Sequence, residues 1–296
     1  MRWRGRERSE NVDDRRGMSP RMALGGGGGM LAILIMLALK FFGAPPAVQQ
    51  MAGQAVNRMQ QNQAQNAPAG EGIDDDYREF TQVVLRDTER VWEQLFEEIQ
   101  DSRGRAVPYT PPRLVMFSGQ EQTACGLGQA AMGPFYCPAD QMVYIDPTFF
   151  EDLANRHNAP GDFAQAYVIA HEVAHHVQSL LGFSTIVNQV RAQGDEIMSN
   201  QYSVRLELQA DFLAGVWAHH AHKEYNILEE GDMEEAITAA NQIGDDTLQK
   251  QSTGRVIPER FTHGTSAQRV FWFRKGLLSG NLKDAETLFQ VDYEDL

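Results

Sequence analysis

Cysteine is scarce, with two in 296 residues. That number excludes a disulfide-dense scaffold and a four-cysteine zinc ribbon. Positive charge is also short. Twenty-six basic side chains face 40 acidic ones, for a formal charge of −14. The chain therefore lacks the broad basic face that general nucleic-acid binding requires, and no nucleic-acid partner is expected. There is no internal repeat. A hydrophobic share of 42% excludes a wholly disordered or collagen-like chain. Long apolar runs are absent except over residues 24–42, and residues 25–29 of that run are all glycine.

What is present is divided unevenly along the chain. Residues 1–23 carry seven arginines, Arg2, Arg4, Arg6, Arg8, Arg15, Arg16 and Arg21, against four acids. The apolar run that follows reaches the lower end of the roughly 17–25 residues that span a bilayer as a helix. It can be read as an N-terminal anchor, a cleaved signal peptide or a buried helix. Phe42-Gly-Ala-Pro-Pro46 offers no clean cleavage site, and the polar stretch beyond it disfavours a buried helix. The anchor is the reading adopted. Residues 1–23 are then a basic cytoplasmic tail, and 24–42 a single transmembrane signal-anchor. Residues 43–73, rich in Gln, Asn, Ala and Pro, form a flexible linker. Residues 74–296 form one folded domain on the extracytoplasmic side.

The domain reads as α+β and mainly helical. Apolar positions from Phe80 to Ile99 recur at helical spacing behind three aspartates. Residues 114–117 and 141–146 look like strands of a small sheet. Between them lies a loop holding Cys125 and Cys137. Helices are expected at about 148–156, 162–181, 191–222, 231–250, 265–279 and 283–289.

One motif carries specific chemistry. His171-Glu-Val-Ala-His175 lies inside a breaker-free apolar stretch. Residues four apart share a helix face, so His171 and His175 can hold one metal ion, with Glu172 beside it as general base. His176 points about 100° away from His175 on a helical wheel and reads as structural. A catalytic zinc takes three protein ligands. The third is assigned to Glu207 in Glu207-Leu-Gln-Ala-Asp211, a pair of acids on one face of an otherwise apolar helix. Buried carboxylates need a cation or hydrogen-bond donors. Asp211 is assigned as the acceptor that fixes a histidine tautomer, that of His171 being the candidate. The expected cofactor is one Zn²⁺ per chain.

The pairing of His171-Glu-x-x-His175 with Glu207-x-x-x-Asp211 resembles the gluzincin metallopeptidases. The whole exported region is similar to the bacterial neutral zinc metallopeptidase family, through Cys125-Gly126, Gly133-Pro-Phe-Tyr-Cys-Pro138, Val143-Tyr-Ile-Asp146, His171-Glu-Val-Ala-His-His-Val-Gln178, Glu207-Leu-Gln-Ala-Asp-Phe-Leu-Ala-Gly215, Thr262-His-Gly264 and Gln268-Arg269. The N-terminal arginines, the glycine run and a membrane segment fit it too. The resemblance implies a zincin-like fold with a small sheet beside the motif helix, and a zinc-dependent endopeptidase acting on a peptide or protein.

Weaker expectations complete the reading. An exported domain would join Cys125 and Cys137 in a disulfide. Residues 141–146 are the candidate edge strand for a bound peptide. The oxyanion-stabilising group is assigned to His263, with Arg269 and Tyr202 as alternatives. His219, His220 and His222 form a cluster at a helix end that reads as facing solvent or complementing the helix dipole. Two other functional classes stay open. One is a catalytically inactive zincin-fold envelope protein that binds or scaffolds. The other is a different hydrolytic reaction on the same ligands.

Overall fold

The computed structural model describes residues 1–17, 75–101, 103–130, 133–155, 159, 161–253 and 255–296. The expected anchor (24–42) and linker (43–73) lie outside the described residues. Among the described residues, no helix is long and apolar enough to cross a membrane. Of the described residues, 1–13 and 75–296 form one compact unit. The first thirteen residues thus pack with the helical body rather than apart from it.

The described elements run β1 (Val12–Asp14), α1 (Asp76–Phe96), β2 (Arg113–Met116), β3 (Gln120–Thr123), β4 (Gly126–Gln129), β5 (Phe135–Cys137), β6 (Met142–Ile145), α2 (Thr148–Asn155), α3 (Asp162–Leu181), α4 (Phe183–Arg191), α5 (Glu196–Tyr225), α6 (Asp232–Gln242), α7 (Asp245–Thr253) and α8 (Ser266–Ser279). Short 3₁₀ turns follow α7 and α8. The fold is mainly helical α+β.

A four-stranded sheet has the order β1-β2-β6-β5. β2 and β6 are parallel, and β5 is antiparallel to β6. Residues 141–146 are therefore not an edge strand: β6 lies between β2 and β5, and the edges are β1 and β5. Leu114, Val115, Met116, Val143 and Ile145 are fully buried, as strands flanked on both sides and covered on both faces must be. The loop expected between the strands contains a hairpin, β3-β4, and Cys125 and Cys137 are joined in a disulfide.

The motif helix α3 is apolar on nearly every side. Phe163, Tyr167, Ile169, Val173 and Val177 are completely buried. Full burial of one such side chain is worth about 1.5–3 kcal/mol. α3 packs against α5, α6, α1 and strands β5 and β6. It ends at Gly182, whose φ of +88° suits the left-handed cap.

Three helix boundaries differ from the periodicity reading. The expected helix over 191–222 breaks at Gly194, where φ is +81°. α5 then starts afresh on an Asp195 cap that accepts from the Met198 amide. The expected helix over 231–250 divides into α6 and α7 at Gly244. A Cβ there would meet the Ser266 backbone nitrogen at 2.5 Å, so only glycine lets the start of α8 approach. Residues 282–289 form 3₁₀ turns rather than an α-helix.

Helices α5 and α8 cross with their backbones in close approach. At their crossing, a Cβ on Gly276 would lie 2.0 Å from the Phe212 carbonyl oxygen, and one on Gly215 would lie 2.2 Å from the Phe273 oxygen. Both obstacles are backbone and cannot swing aside. We expect Gly276→Ala to force the helices apart at a cost of about 1–3 kcal/mol, read as a lower urea midpoint. An unchanged midpoint would show that the crossing is not close-packed.

Candidate metal centre

Helices α3 and α5 bring His171, His175 and Glu207 together. Each contributes a ligand atom, and the three atoms lie within 4.8 Å of one another. His171 Nε2 is 3.2 Å from Glu207 Oε2, and His175 Nε2 is 3.5 Å from Glu207 Oε1. The side chains are 8–18% exposed, buried enough to be desolvated and open enough to be reached. Glu172, one residue along α3, is 8% exposed. Its charge acts on His175, but it is not part of the three-residue cluster.

The outer nitrogen of each imidazole is also held. His171 Nδ1 lies 2.9 Å from Asp211 Oδ1, and His175 Nδ1 lies 2.8 Å from Gln178 Oε1. An ionised carboxylate can only accept, so His171 keeps a proton on Nδ1 toward Asp211, and Nε2, which faces Glu207, is the nitrogen left to a metal once its own proton is displaced. Gln178 donates its amide to the Leu206 carbonyl at 2.6 Å and to Gln209 Oε1 at 3.1 Å. Its oxygen is thereby aimed at His175, with the same effect on that ring. Two imidazole nitrogens and a carboxylate, with tautomers fixed from behind, are the donor set of a zinc ion. The residues fit the metal.

Asp211 is the hub behind the ligands. Its Oδ1 accepts from His171 Nδ1, from Tyr167 Oη at 2.5 Å and from Arg269 Nη2 at 2.9 Å, and its Oδ2 accepts from Arg269 Nε at 2.8 Å. Arg269 Nη1 donates to the Ile243 carbonyl at the end of α6 at 3.2 Å. Arg269 also lies 3.4 Å from His171 Nδ1, but both groups are donors here. They meet because they share Asp211. Burial raises the Asp211 carboxyl, yet Arg269 and His171 outweigh it and hold the group at about 2. Burial likewise lowers His171, and the Asp211 and Glu207 carboxylates override it to hold the imidazole up at about 10. The balance at Glu207 runs the other way: burial pushes it up, while His175 and His171 bring it well below the usual carboxylate range.

The alternatives for oxyanion stabilisation separate in the structure. Arg269 is 2% exposed and committed to Asp211. Tyr202 packs against Phe289, ring centroids 6.2 Å apart. His263 is half exposed, and its imidazole feels the charge of Glu207. Its Nδ1 lies 3.2 Å from Asp245 Oδ1, while Asp245 Oδ2 accepts from the backbone amides of Thr262 and His263 at 2.6 Å each. The hydrogen bond to Asp245 raises the imidazole, burial opposes it, and Glu207 adds to the rise.

His176 is structural. Its Nε2 faces the Thr110 carbonyl at 2.6 Å and its Nδ1 faces Tyr136 Oη of β5 at 3.1 Å. The edge strand thus runs beside the motif helix. His219, His220 and His222 do not form a solvent-facing cluster. His219 and His220 bind the carbonyls of Leu277 and Gly280, and His222 accepts from the Leu228 amide.

Sequence reasoning gave no role to Tyr167, Gln178 or Asp245. Gln178 stands three residues after His175, a spacing that puts the two on one helix face. Asp245 is 18 residues from His263 and left no local signal.

The site brings two imidazoles and a carboxylate from two helices close enough to hold one metal ion, with Glu172 next to His171 on α3. The family described as "Putative neutral zinc metallopeptidase" matches residues 1–288, and the chain belongs to that family. It is 44% identical to the uncharacterized protein YpfJ of Escherichia coli (strain K12) over 295 residues, covering 97% of this chain and 98% of that protein. It is 42% identical to the uncharacterized protein Rv2575 of Mycobacterium tuberculosis over 194 residues, covering 62% of this chain and 64% of that protein. No solved structure matches.

The ionic coupling makes the metal-free protein sensitive to pH. A histidine held at about 10 against roughly 6.5 when unfolded contributes stability that is complete below pH 6.5. That stability is lost as pH rises through 10. The metal-free urea midpoint should therefore fall between pH 6.5 and 10, more than it does in an Asp211→Asn variant. Zinc must displace the same proton, so the heat of zinc binding should vary linearly with buffer ionisation enthalpy, with a slope that reports proton release. Binding without proton release would contradict this charge assignment.

Proposed function

We propose that the chain is a zinc-dependent peptidase, an endopeptidase that hydrolyses peptide bonds with Glu172 as general base. The observation that carries this reading is the convergence of the His171, His175 and Glu207 ligand atoms beside a carboxylate outside the ligand set. His171, His175 and Glu207 would hold the zinc. Zinc held there supplies Lewis acidity and lowers the pKa of water to about 7.

The protein groups do the rest. Glu172 takes the proton of the attacking water on its carboxylate and passes it to the leaving nitrogen. His263, whose charged form Asp245 favours, donates to the oxygen that gains charge as the carbonyl becomes tetrahedral. Asp211 and Gln178 hold the two ligand rings in register. The substrate is read as an extended peptide that pairs along β5, an edge of the sheet. Main-chain pairing to an edge tolerates many sequences, which suits a peptidase. The disulfide supports an oxidising, extracytoplasmic compartment.

Glu172→Gln should retain one zinc per chain and lose turnover by about 10²–10⁴-fold. Metal retention with unchanged turnover would remove Glu172 from the mechanism. His263→Ala should lower kcat by about 10²–10³-fold with zinc content unchanged. Because the wild-type imidazolium is the competent form, activity should fall as pH rises through its titration. Asp245→Asn should move that fall to lower pH. An unmoved profile would exclude His263 as the titrating group.

A further inference from the structure

The basic N-terminal tail and the acidic domain are complementary in charge, and the structure shows them in contact. Arg4 pairs with Asp76 at 2.8 Å and Arg8 with Glu79 at 2.6 Å. Arg6 holds Asp87 through two bonds of 2.6 and 2.7 Å. Ser9 Oγ and Asn11 Nδ2 both donate to Glu89 Oε1, at 2.5 and 2.8 Å. Glu7 receives Arg86 and Arg90. All of these partners lie on α1. Asp87 and Glu89 are each 2% exposed. Burial pushes the Asp87 carboxyl up to about 7, and Arg6 is the main group drawing it back.

The contact continues beyond α1. The Trp3 ring meets Phe80 edge-on at 5.4 Å, and its Nε1 donates to Asp162 at the first turn of the motif helix α3. The Arg2 amide donates to the Ile227 carbonyl at 2.8 Å. The acidic group Asp162, Asp232 and Glu235 lies close enough to hold a cation, and its first two members pair with the Met1 α-ammonium. β1 forms the outer strand of the sheet beside β2, and the Leu114 amide donates to the Asn11 carbonyl at 2.9 Å.

We propose that residues 1–13 are a permanent structural part of the metal-site domain, held on the same side of any membrane as residues 75–296. A single membrane crossing between residues 13 and 75 would put these partners on opposite faces of a bilayer about 30 Å thick. Hydrogen bonds of 2.5–2.9 Å cannot then form. Asp87 and Glu89 would be left as buried charges without their N-terminal partners, which is strongly destabilising. The arginines of the tail accordingly serve as ion-pair partners of α1 and not as a cytoplasmic topology signal. The inference stands on the docking contacts alone and is independent of the peptidase reading.

The test uses the full-length chain in its native membrane setting, with a single reporter cysteine at exposed Glu10 (Glu10→Cys) or at exposed Lys283 (Lys283→Cys). Intact and lysed cells are treated with a membrane-impermeant maleimide. The proposal expects the two reporters to behave alike, both labelled or both protected in intact cells and both labelled after lysis. Labelling of one with protection of the other in intact cells would overturn it. The docking itself is tested by charge reversal. Arg6→Asp and Asp87→Arg should each lower the melting temperature of the purified chain, and the double exchange should recover part of the loss. An unchanged melting temperature in Arg6→Asp would show that the segment is not held.

Discussion

The Asp211 carboxylate is the point on which the metal centre depends. It is fully buried and would be untenable alone, since an unpaired charge in that environment costs several kcal/mol. Four hydrogen bonds from His171, Tyr167 and Arg269 make it tolerable. The same four bonds tie α3, α5 and α8 together, and Arg269 extends the tie to the end of α6. Tertiary structure and metal chemistry are thus one arrangement. The carboxylate that fixes a ligand tautomer is also the ion-pair partner that locks α8 in place. The glycine crossing brings the same two helices, α5 and α8, into backbone contact.

The rest of the site is layered on this hub. Gln178 does for His175 what Asp211 does for His171, without a charge. Asp245 secures the loop that presents His263 through both backbone and side-chain contacts. Charges alternate outward from the centre: Arg269 behind Asp211, Asp211 behind His171, His171 and His175 against Glu207, His263 facing Glu207. Such alternation keeps each buried group ionised in the form that the next one needs. It also explains why so many charges can lie inside a domain whose interior is otherwise aliphatic and aromatic.

What the sequence made legible was whatever one helix could display by itself. The His171-Glu-x-x-His175 and Glu207-x-x-x-Asp211 spacings are i,i+4 patterns, and their meaning depends only on helix geometry. The mainly helical α+β class followed from periodicity in the same way. Features that depend on chain segments meeting from a distance were not visible. β6 has the apolar composition of any buried strand, and nothing local says that β5, placed earlier in the chain, closes the sheet. Arg269 reads as an alternative oxyanion-stabilising group, and only the arrival of Asp211 from another helix shows it committed elsewhere. The N-terminal arginines carry the signature of a topology signal, and only the placement of Asp76, Glu79 and Asp87 on one face of α1 shows another use. Helix breaks at Gly194 and Gly244 were missed because hydrophobic periodicity continues across both.

The central claim is that His171, His175 and Glu207 form one zinc site. The most direct measurement is elemental analysis of the full-length protein, purified without chelator, beside a Glu207→Ala variant whose fold is verified by circular dichroism. The account predicts one zinc per chain in the parent and loss of zinc in the folded variant. A folded parent that carries no metal and refuses added zinc, or a Glu207→Ala variant that keeps full occupancy, would contradict it.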